Sequence, residues 1–486
     1  MTIEDCLYHC GCRCHVPRQL SQGECPDLQI VNRQSSIVNL FGAPLKIAFI
    51  TAGAGAMYCG SCLRDNALAA ALMARGHEVH LIPTYTPTRT DEPNISERRI
   101  FLGGINVYLQ QHFGIFRKTP WILDRLWDLK PILKLATHWS LRVDPAHLGD
   151  MTVSMLRGGE GFQRKEIQKL ARFIQAEISP DIVSLPNCLL TGLAPELKAR
   201  MRSPVCCTLQ GEDLFLEGLP ERYRKESLHL IRSNSAYIDA FLAVSEYYAG
   251  AMSEYLGLDR KKIHVLPLGI NVNGHRARNG IPSNPFTIGY MARIAPEKGL
   301  HILCEAYRRI RQRKDQAPSR LLAAGYLAPE HRDYLQDIQR KIADWGLSGE
   351  FRYLGELSRT EKIEFLQSLS VLSVPCLYKE PKGFYVLEAM ANGVPVVQPR
   401  KGAFPEIIDA TGGGILVDDD PAAVAEGILH LWENPGKMAE LGKQGSEGVR
   451  LQFSAERMAE RAEGIYRKII RESVGKIGEA ARAEDA

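Results

Sequence analysis

Short apolar runs alternate with amphipathic stretches along most of this 486-residue chain. The run LKIAFI (45–50) leads into a glycine-rich loop, an amphipathic stretch (63–79) and a second apolar run, VHLI (79–82). Strands that are buried on both faces of a parallel sheet have this continuous apolar character, so the order predicts a βαβ unit. Further strand-like runs extend the predicted sheet at 181–185, 204–209, 240–244 and 262–269.

A second alternation of the same kind begins at FTIGYMA (286–292), with predicted helices at 299–313 and 332–346. Its later strand-like runs lie at 319–325, 349–357, 369–375, 395–399 and 413–417. The preceding segment, 270–285, is rich in Gly, Asn, Pro and Arg and has no apolar period, which is typical of a linker. The pattern predicts an α/β protein with two Rossmann-like doubly wound domains that face a central cleft, where such sheets bind their ligands.

The domain boundaries follow from the same pattern. Residues 85–165 interrupt the first alternation and are interpreted as a helical insertion, and 454–473 has the period of a helix that crosses back over the cleft. We therefore expect a leader at 1–40, an N-terminal domain at 41–272, a C-terminal domain at 273–453, and the crossing helix with a tail at 454–486.

Composition and charge narrow the class of protein. A hydrophobic fraction of 45% with 24% charged residues is typical of a soluble globular protein. The formal net charge of +4 is too small to favour nucleic acid as a partner. The chain has no apolar run near the roughly 18–20 residues that span a bilayer, and its first residues lack the pattern of a secretory signal. We predict a cytoplasmic protein.

Five of the 12 cysteines, with His9 and His15, lie in the first 25 residues. Such a cluster can bind zinc, but its spacing matches no standard finger and residues 1–40 show no hydrophobic period. A disordered leader or a misassigned start is favoured over a metal site.

The stretch 377–408 holds two glutamates, Glu380 and Glu388, with seven residues between them. If a helix begins near Phe384, the amides of Phe384, Tyr385 and Val386 point at any phosphate in the cleft. Glu388 could then accept hydrogen bonds from a ribose diol, and Glu380 could hold sugar hydroxyls. The alternative is that both glutamates serve as helix capping and dipole residues.

Two cations in GYMARIAPEKGL (289–300) bear on this choice. Arg293 lies at the end of a predicted strand, and Lys298 lies in the first turn of the next predicted helix. Cations at that end of a helix oppose its dipole, so an anion should be present to offset them. Arg binds phosphate oxygens bidentately and Lys acts as a point charge, so the pair is typical of a diphosphate clamp.

Together with EPKGFYVLEAMANGVPVV (380–397) and KGAFPEII (401–408), these residues resemble the donor domain of retaining glycosyltransferases of family 4, the group 1 glycosyl transferases. GHEV (76–79) looks like the opening of their acceptor domain. The resemblance covers roughly residues 45–470, apart from the insertion. It implies the GT-B fold, a nucleoside-diphosphate sugar as donor, and retention of the anomeric configuration.

The resemblance also implies a role for each matching residue. Arg293, Lys298 and Glu380 would form the catalytic set, in which the two cations bind the diphosphate and Glu380 binds the sugar ring. Glu388 would bind the ribose. The remaining donor-binding positions would be Gly383 and Phe384, where the backbone approaches closely, Gly402 near the phosphate or sugar, and Gly60 across the cleft.

Retaining transfer asks chiefly for stabilisation of charge on the departing nucleoside diphosphate. The two cations and the helix N-terminus would supply this without a metal, and the acidic run 418–420 is favoured as a cap of the helix at 421 over a metal site. We predict no metal and no cofactor beyond the substrate, a UDP-, GDP- or ADP-linked sugar.

The acceptor side departs from the family at Gln210, where members usually carry His. Gln cannot take a proton, but it can hydrogen-bond a sugar hydroxyl. We assign Gln210, Glu212 and His112 to the side that binds a sugar or a lipid-linked acceptor. A nucleotide-sugar epimerase of GT-B fold and a catalytically inactive nucleotide-sugar or glycan-binding protein stay open as alternatives.

Two features have competing interpretations. Cys59 and Cys62 follow a strand and open a helix, as the cysteines of thioredoxins do, although the chain is far longer and the other thioredoxin elements are missing. The segment 120–142 is rich in Trp, Leu and basic residues and could contact a membrane surface peripherally at its inner face. Its proline and acidic residues favour a core or cleft-wall role.

Overall fold

A computed structural model of the chain describes residues 42–53, 59–97, 99–102, 145–277, 284–313 and 317–484. The cysteine-rich leader, His112 and the segment 120–142 lie outside the described residues, so the predictions made for them stay predictions.

Every strand-like run of the sequence overlaps a strand of the structure. The first six strands are β1 (Lys46–Thr51), β2 (Glu78–Pro83), β3 (Ile182–Leu185), β4 (Val205–Leu209), β5 (Ala240–Ala243) and β6 (Ile263–Val265). The next six are β7 (Phe286–Met291), β8 (Ser319–Ala324), β9 (Phe351–Tyr353), β10 (Val371–Leu372), β11 (Val396–Pro399) and β12 (Gly414–Val417).

The described strands form two six-stranded sheets in which all pairs are parallel. The first sheet has the order β2-β1-β3-β4-β5-β6 and the second has the order β12-β11-β10-β7-β8-β9. The direction of chain progress reverses beside β1 in the first sheet and between β7 and β10 in the second. Such switch points leave a crevice at the carboxyl ends of the strands. We call the parts built on the two sheets the N-terminal half and the C-terminal half.

Fifteen α-helices connect and cover the described strands. In the N-terminal half they are α1 (Gly60–Ala74), α2 (Pro145–Leu156), α3 (Arg164–Phe173), α4 (Ala194–Arg200), α5 (Asp213–Glu217), α6 (Glu221–Asn234) and α7 (Glu246–Leu256). In the C-terminal half they are α8 (Leu300–Arg313), α9 (Arg332–Asp344), α10 (Arg359–Gln367), α11 (Phe384–Ala391), α12 (Phe404–Thr411), α13 (Pro421–Glu433), α14 (Pro435–Gln452) and α15 (Ala455–Glu484). Short 3₁₀ turns join several of them, among them Pro296–Lys298.

The last helix, α15, packs against the N-terminal half. The ring of Tyr466 meets that of Phe49 on β1 edge-on, with 6.2 Å between the ring centroids. Glu463 forms a 2.7 Å ion pair with Arg75 and lies 3.3 Å from the ring nitrogen of His77. The chain thus returns from the second sheet to cover the first.

Two contacts between loops and helix ends also join the halves. The Ser245 hydroxyl donates a hydrogen bond to the Pro381 carbonyl at 3.0 Å, and Glu406 accepts the Glu246 amide at 2.8 Å. These contacts bring the start of α7 against the loop that precedes α11 and against the first turn of α12. None of the described helices is long and apolar enough to cross a bilayer.

Candidate active site

The residues predicted to bind the donor lie where the two switch points face each other. Gly60 follows β1, Arg293 follows β7, and Glu380 and Gly383 follow β10. A cavity between the halves is lined by Gly60 and Arg293 together with Phe384, Tyr385 and Glu388. The fold therefore brings both halves to one cavity, although the role of each residue there stays a prediction.

Helix α11 begins at Phe384, as the sequence predicts. Gly383 precedes it with φ 63°, in the left-handed region that favours glycine, and a Cβ there would lie 2.7 Å from the Ile407 side chain. The Phe384 and Tyr385 amides have no acceptor among the described residues, whereas the Val386 amide donates to the Gly383 carbonyl at 3.0 Å. The first helical turn thus already pairs the Val386 amide, and its contact with a phosphate stays a prediction.

Lys298 and Glu380 form a buried ion pair beside this helix end. The ammonium Nζ lies 2.7 Å from Oε2 of Glu380, and the two side chains are 14% and 5% exposed. Lys298 also donates to the Tyr378 hydroxyl, which donates in turn to Glu380 at 2.5 Å. The rings of Tyr378 and Tyr385 lie 4.8 and 5.5 Å from the ammonium, close enough for cation–π attraction.

The pair keeps both groups charged. Burial opposes ionisation of Glu380, but the Lys298 charge, the hydrogen bonds from Lys298 and Tyr378 and the Lys382 charge together outweigh it and lower the pKa of this carboxyl to about 2. Burial also disfavours the charge on Lys298, yet the charge and hydrogen bond of Glu380, together with nearby Cys376, outweigh this effect and raise the pKa of the ammonium. The site therefore presents a fixed positive and a fixed negative charge at neutral pH.

Lys298 does not lie in the first turn of α8, so this prediction from the sequence is wrong. It ends the 3₁₀ turn Pro296–Lys298, and Gly299 with φ 73° separates that turn from the helix. A Cβ on Gly299 would lie 2.0 Å from the Pro375 carbonyl oxygen, so only glycine fits this close approach. The turn directs Lys298 toward Glu380 instead of along the helix.

The loop that carries Glu380 is held from two sides. Oε1 of Glu380 accepts the Lys382 and Gly383 amides at 3.3 and 3.5 Å, and both amides precede the first residue of α11. Gly402, at φ 56°, packs on the same loop, where a Cβ would lie 2.3 Å from the Glu380 carbonyl oxygen. Gly402 thus supports Glu380 through the backbone.

Arg293 lines the cavity but remains 40% exposed, and its guanidinium forms a 2.5 Å ion pair with Glu297. An exposed pair of this kind contributes little to stability and exchanges readily. The guanidinium can therefore turn to an anion in the cavity.

Glu388 is buried in α11 and pairs with Lys362 of α10, a residue that belongs to none of the motifs recognised in the sequence. Lys362 also lies 2.5 Å from Asp91 of the N-terminal half. Burial raises the pKa of Glu388, against the opposing effect of the Lys362 ammonium. Nothing in the local sequence marks Lys362 or Asp91, because the contact joins residues 271 positions apart.

Gln210 and Glu212 form a buried turn after β4. The Gln210 side-chain nitrogen donates to the Pro186 carbonyl at 2.7 Å, whereas its Oε1 has no partner among the described residues. Glu212 accepts the amides of Gln210 and Gly211 at 2.8 and 2.9 Å, and burial raises the pKa of its carboxyl. Both side chains shape the turn, and their contact with an acceptor stays a prediction.

Lys382, also not anticipated, faces the turn Cys59–Cys62 across the cleft. Its ammonium donates to the Ser61 hydroxyl at 3.1 Å and lies 3.9 Å from the position of a Cβ on Gly60. Cys59 precedes the first residue of α1 and Cys62 is buried in its first turn, as the sequence predicts. A hydrogen bond from Cys62 and the Lys382 charge lower the pKa of Cys59.

Asp420 caps α13, where it accepts the amides of Ala422 and Ala423 at 2.8 and 3.0 Å. In the parts of the chain that the structure describes, no three His, Cys, Asp or Glu side chains gather as metal ligands do.

Two family models match the chain in sequence. The model described as Glycosyl transferases group 1 matches residues 272–448, and the model described as Glycosyltransferase Family 4 matches residues 66–273. Together they cover both halves.

Individual proteins are similar over large parts of the chain. An MMP alpha-(1->4)-mannosyltransferase of Mycolicibacterium hassiacum is 26% identical over 60% of this chain and 71% of its own length. A GDP-mannose-dependent monoacylated alpha-(1-6)-phosphatidylinositol monomannoside mannosyltransferase of Corynebacterium glutamicum is 23% identical over 58% of this chain and 73% of its own. The structure of sucrose-phosphate synthase from Thermosynechococcus elongatus shares the fold, with a TM-score of 0.65 and 17% identity over 87% of this chain and 99% of that one.

Proposed function

Because this chain is a group 1 glycosyl transferase of family 4 with the GT-B fold, we propose that it transfers a hexosyl group from a nucleoside-diphosphate sugar with retention of the anomeric configuration. The acceptor is a hydroxyl of a sugar or of a lipid-linked molecule. The cavity between the halves binds the donor.

The observation that carries this proposal is the buried Lys298–Glu380 pair beside the N-terminus of α11. An ammonium has three N–H donors. Two of those of Lys298 are taken by Glu380 and Tyr378, so the third can bind a phosphate oxygen without breaking the pair. The hydrogen bonds from the two amides to Oε1 of Glu380 are long, at 3.3 and 3.5 Å. Hydroxyls of the donor sugar can therefore compete for this oxygen.

Three kinds of hydrogen-bond donor stabilise the negative charge on the departing diphosphate. Lys298 supplies a buried point charge, Arg293 supplies a fork for two oxygens, and the Phe384 and Tyr385 amides supply a helix N-terminus. One preorganised donor of this kind is commonly worth ~10²–10³ in rate. These groups act most strongly when the phosphate departs, because its negative charge grows in the transition state.

The acceptor proton is assigned to the departing phosphate. Gln210 occupies the turn after β4 and cannot act as a base. As the bond from the anomeric carbon to the phosphate oxygen breaks, the acceptor oxygen attacks from the same face and loses its proton to that phosphate oxygen. The nucleoside diphosphate leaves with the proton, and the configuration is retained.

The names of two relatives suggest which nucleobase and which sugar the donor carries. Both relatives described above are named as mannosyltransferases and one is named as GDP-mannose-dependent. GDP-mannose is therefore the first donor to test, followed by UDP- and ADP-linked hexoses.

A thermal-shift screen with these donors, followed by an assay of donor consumption, tests the proposal. A donor at ~100-fold its dissociation constant adds roughly 2.7 kcal/mol to the folded state. We expect consumption to rise strongly when sugar or lipid-linked acceptors are added and to fail in Lys298→Ala. Free sugar released at one rate with or without acceptor would indicate an epimerase-like reaction, and binding without consumption would indicate a binding protein.

A further inference from the structure

Three charged side chains meet in a buried cluster at the edge of the cavity. Lys362 lies 2.5 Å from Asp91 and also donates to Glu388. The side chains of Asp91, Lys362 and Glu388 are only 6%, 12% and 7% exposed. We call these three residues the clasp. All three line the same cavity as Arg293 and Phe384.

The clasp joins the two halves of the molecule. Asp91 lies in the loop after β2 of the N-terminal half, whereas Lys362 and Glu388 lie on α10 and α11 of the C-terminal half. A 3.0 Å pair between Glu92 and Arg359 forms beside it. The clasp can therefore form only when the halves stand as close as they do here.

The same helix is tied to the segment that connects the halves. The Arg359 guanidinium donates to the carbonyls of Asn271 and Asn273 at 3.1 and 2.8 Å. Helix α10 thus contacts the linker, the opposite half and the cavity. A change in the angle between the halves would move Asp91 relative to Lys362.

Stability alone is a weak reason for such a cluster. Burying three charges costs desolvation that their attraction only partly offsets, and apolar side chains of similar size would often be equally stable. The cluster also lies in the wall of the cavity, where ionised groups can act on a ligand.

We propose that Lys362 is a positioning residue of the donor site, which holds Glu388 ionised and directed at the donor ribose, and that Asp91 completes this site from the N-terminal half. This inference rests on the proposed function, since it takes the cavity to bind a nucleoside diphosphate. The ribose site is then complete only when the halves are closed.

The chemistry of Glu388 explains why it needs Lys362. Burial raises the pKa of the Glu388 carboxyl, and Lys362 is the first of the groups that oppose this rise. A carboxylate can accept hydrogen bonds from both hydroxyls of a diol. In a protonated carboxyl, one of the two oxygens carries the proton and acts as a donor instead. Lys362 bonds Oε1 of Glu388, and Oε2 has no donor among the described residues, so Oε2 is open to a ribose hydroxyl.

Calorimetric titration of the purified full chain with UDP, GDP and ADP tests the inference. The diphosphate that binds best is compared with its 2′,3′-dideoxy analogue, which lacks the two hydroxyls. Wild type should prefer the natural ribose by about 10-fold or more, the scale of hydrogen bonds to a charged group. Lys362→Met should weaken binding of the natural diphosphate about 10-fold and lose most of this preference, as should Glu388→Ala.

Two variants control the experiment. Lys341→Met makes the same substitution at an exposed position on α9 and should bind as wild type does. Lys362→Arg keeps the charge and should retain most of the ribose preference. Each variant is checked by circular dichroism and thermal unfolding before titration. If Lys362→Met did not fold, the Lys362→Arg and Asp91→Asn variants would carry the comparison.

A pH series separates positioning from a purely structural role. Lys362 opposes the rise that burial causes in the pKa of Glu388. Without Lys362 the pKa of this carboxyl rises further, and a smaller fraction of it is ionised at the acidic end of the series than in wild type. Binding to Lys362→Met should therefore tighten from pH 6 toward pH 9 more steeply than binding to wild type does. A constant loss across the series would contradict the proposed role.

Asp91→Asn tests the contribution of the N-terminal half. It should lower the preference for the natural ribose, because Lys362 loses the partner that fixes it, even though Asp91 itself raises the pKa of Glu388. Wild-type affinity and ribose preference in both Lys362→Met and Asp91→Asn would overturn the inference and leave the proposed function standing. If wild type bound none of the three diphosphates, the proposed function would fail and the inference with it.

Discussion

Lys298 and Glu380 stand 82 positions apart in the chain and meet as a buried ion pair 2.7 Å long. The contact arises because β7 and β10 are neighbours at the switch point of the second sheet, and each is followed by a loop that ends at the cleft. A sheet that progressed in one direction would separate these loops. The topology therefore places a cation and a carboxylate together at the site of the proposed transfer.

Removal of either cation of the proposed diphosphate site should lower kcat. Lys298→Ala and Arg293→Ala are each expected to reduce kcat by ~10² or more, because both side chains act on charge that grows as the phosphate leaves. Steady-state kinetics with the donor from the screen measures this effect. Lys437→Ala, which removes an exposed cation paired with Glu440, is the control. Near-wild-type kcat in both site variants would contradict the mechanism.

The sequence predicted the framework of the molecule because its signals are local. A buried parallel strand is a short apolar run and an outer helix has a 3.6-residue period, so all the strands of the described chain could be located without tertiary information. The start of α11 at Phe384 was equally accessible, since the glycine before it marks a left-handed position. Glu380, Arg293 and Lys298 came from motifs in loops that follow strands, and Glu388 came from the helix that follows one of these loops.

Contacts across the cleft could not be predicted. Lysines are usually exposed to solvent, so the sequence gives no reason to single out Lys362 and Lys382. Their partners Asp91 and Ser61 lie 271 and 321 positions away in the chain. The misplaced Lys298 has a related cause, because the short 3₁₀ turn before Gly299 depends on close packing against Pro375. Local sequence patterns do not predict such long-range contacts.

Donor binding and turnover should not require an added divalent metal. The proposed site already meets the diphosphate with Lys298, Arg293 and the amides at the start of α11. We expect activity to survive dialysis against EDTA and to change little when Mg²⁺ or Mn²⁺ is returned. Loss of activity on chelation, with recovery on addition of either ion, would show that protein cations alone do not suffice.

Gln210 should matter more for the fold than for proton transfer. Gln210→Ala leaves the buried Pro186 carbonyl without its donor, so the free energy of unfolding should fall by ~1–3 kcal/mol. Denaturant unfolding measures this change. Gln210→His should add no ionisation to the profile of kcat/KM near about pH 6.5, because the departing phosphate is the base. An inert wild type that gains turnover on Gln210→His would instead identify a binding protein.

The Cys59 and Cys62 thiols are not required for the proposed transfer. A double variant, Cys59→Ser/Cys62→Ser, should keep most of the activity, because Ser preserves the small polar turn that faces Lys382. Activity is compared under reducing conditions with that of wild type. Total loss in a folded double variant would support the redox hypothesis for this turn.

In the proposed reaction, a hexosyl group leaves a nucleoside diphosphate and reaches its acceptor with the same anomeric configuration. Proton NMR of the reaction mixture at early times, with an α-linked donor such as GDP-mannose and the acceptor that raises its consumption, reads the anomeric proton of the product directly. We predict an α-linked product that forms in step with the free nucleoside diphosphate. A β-linked product, or release of the diphosphate with no new glycosidic bond, would contradict the account.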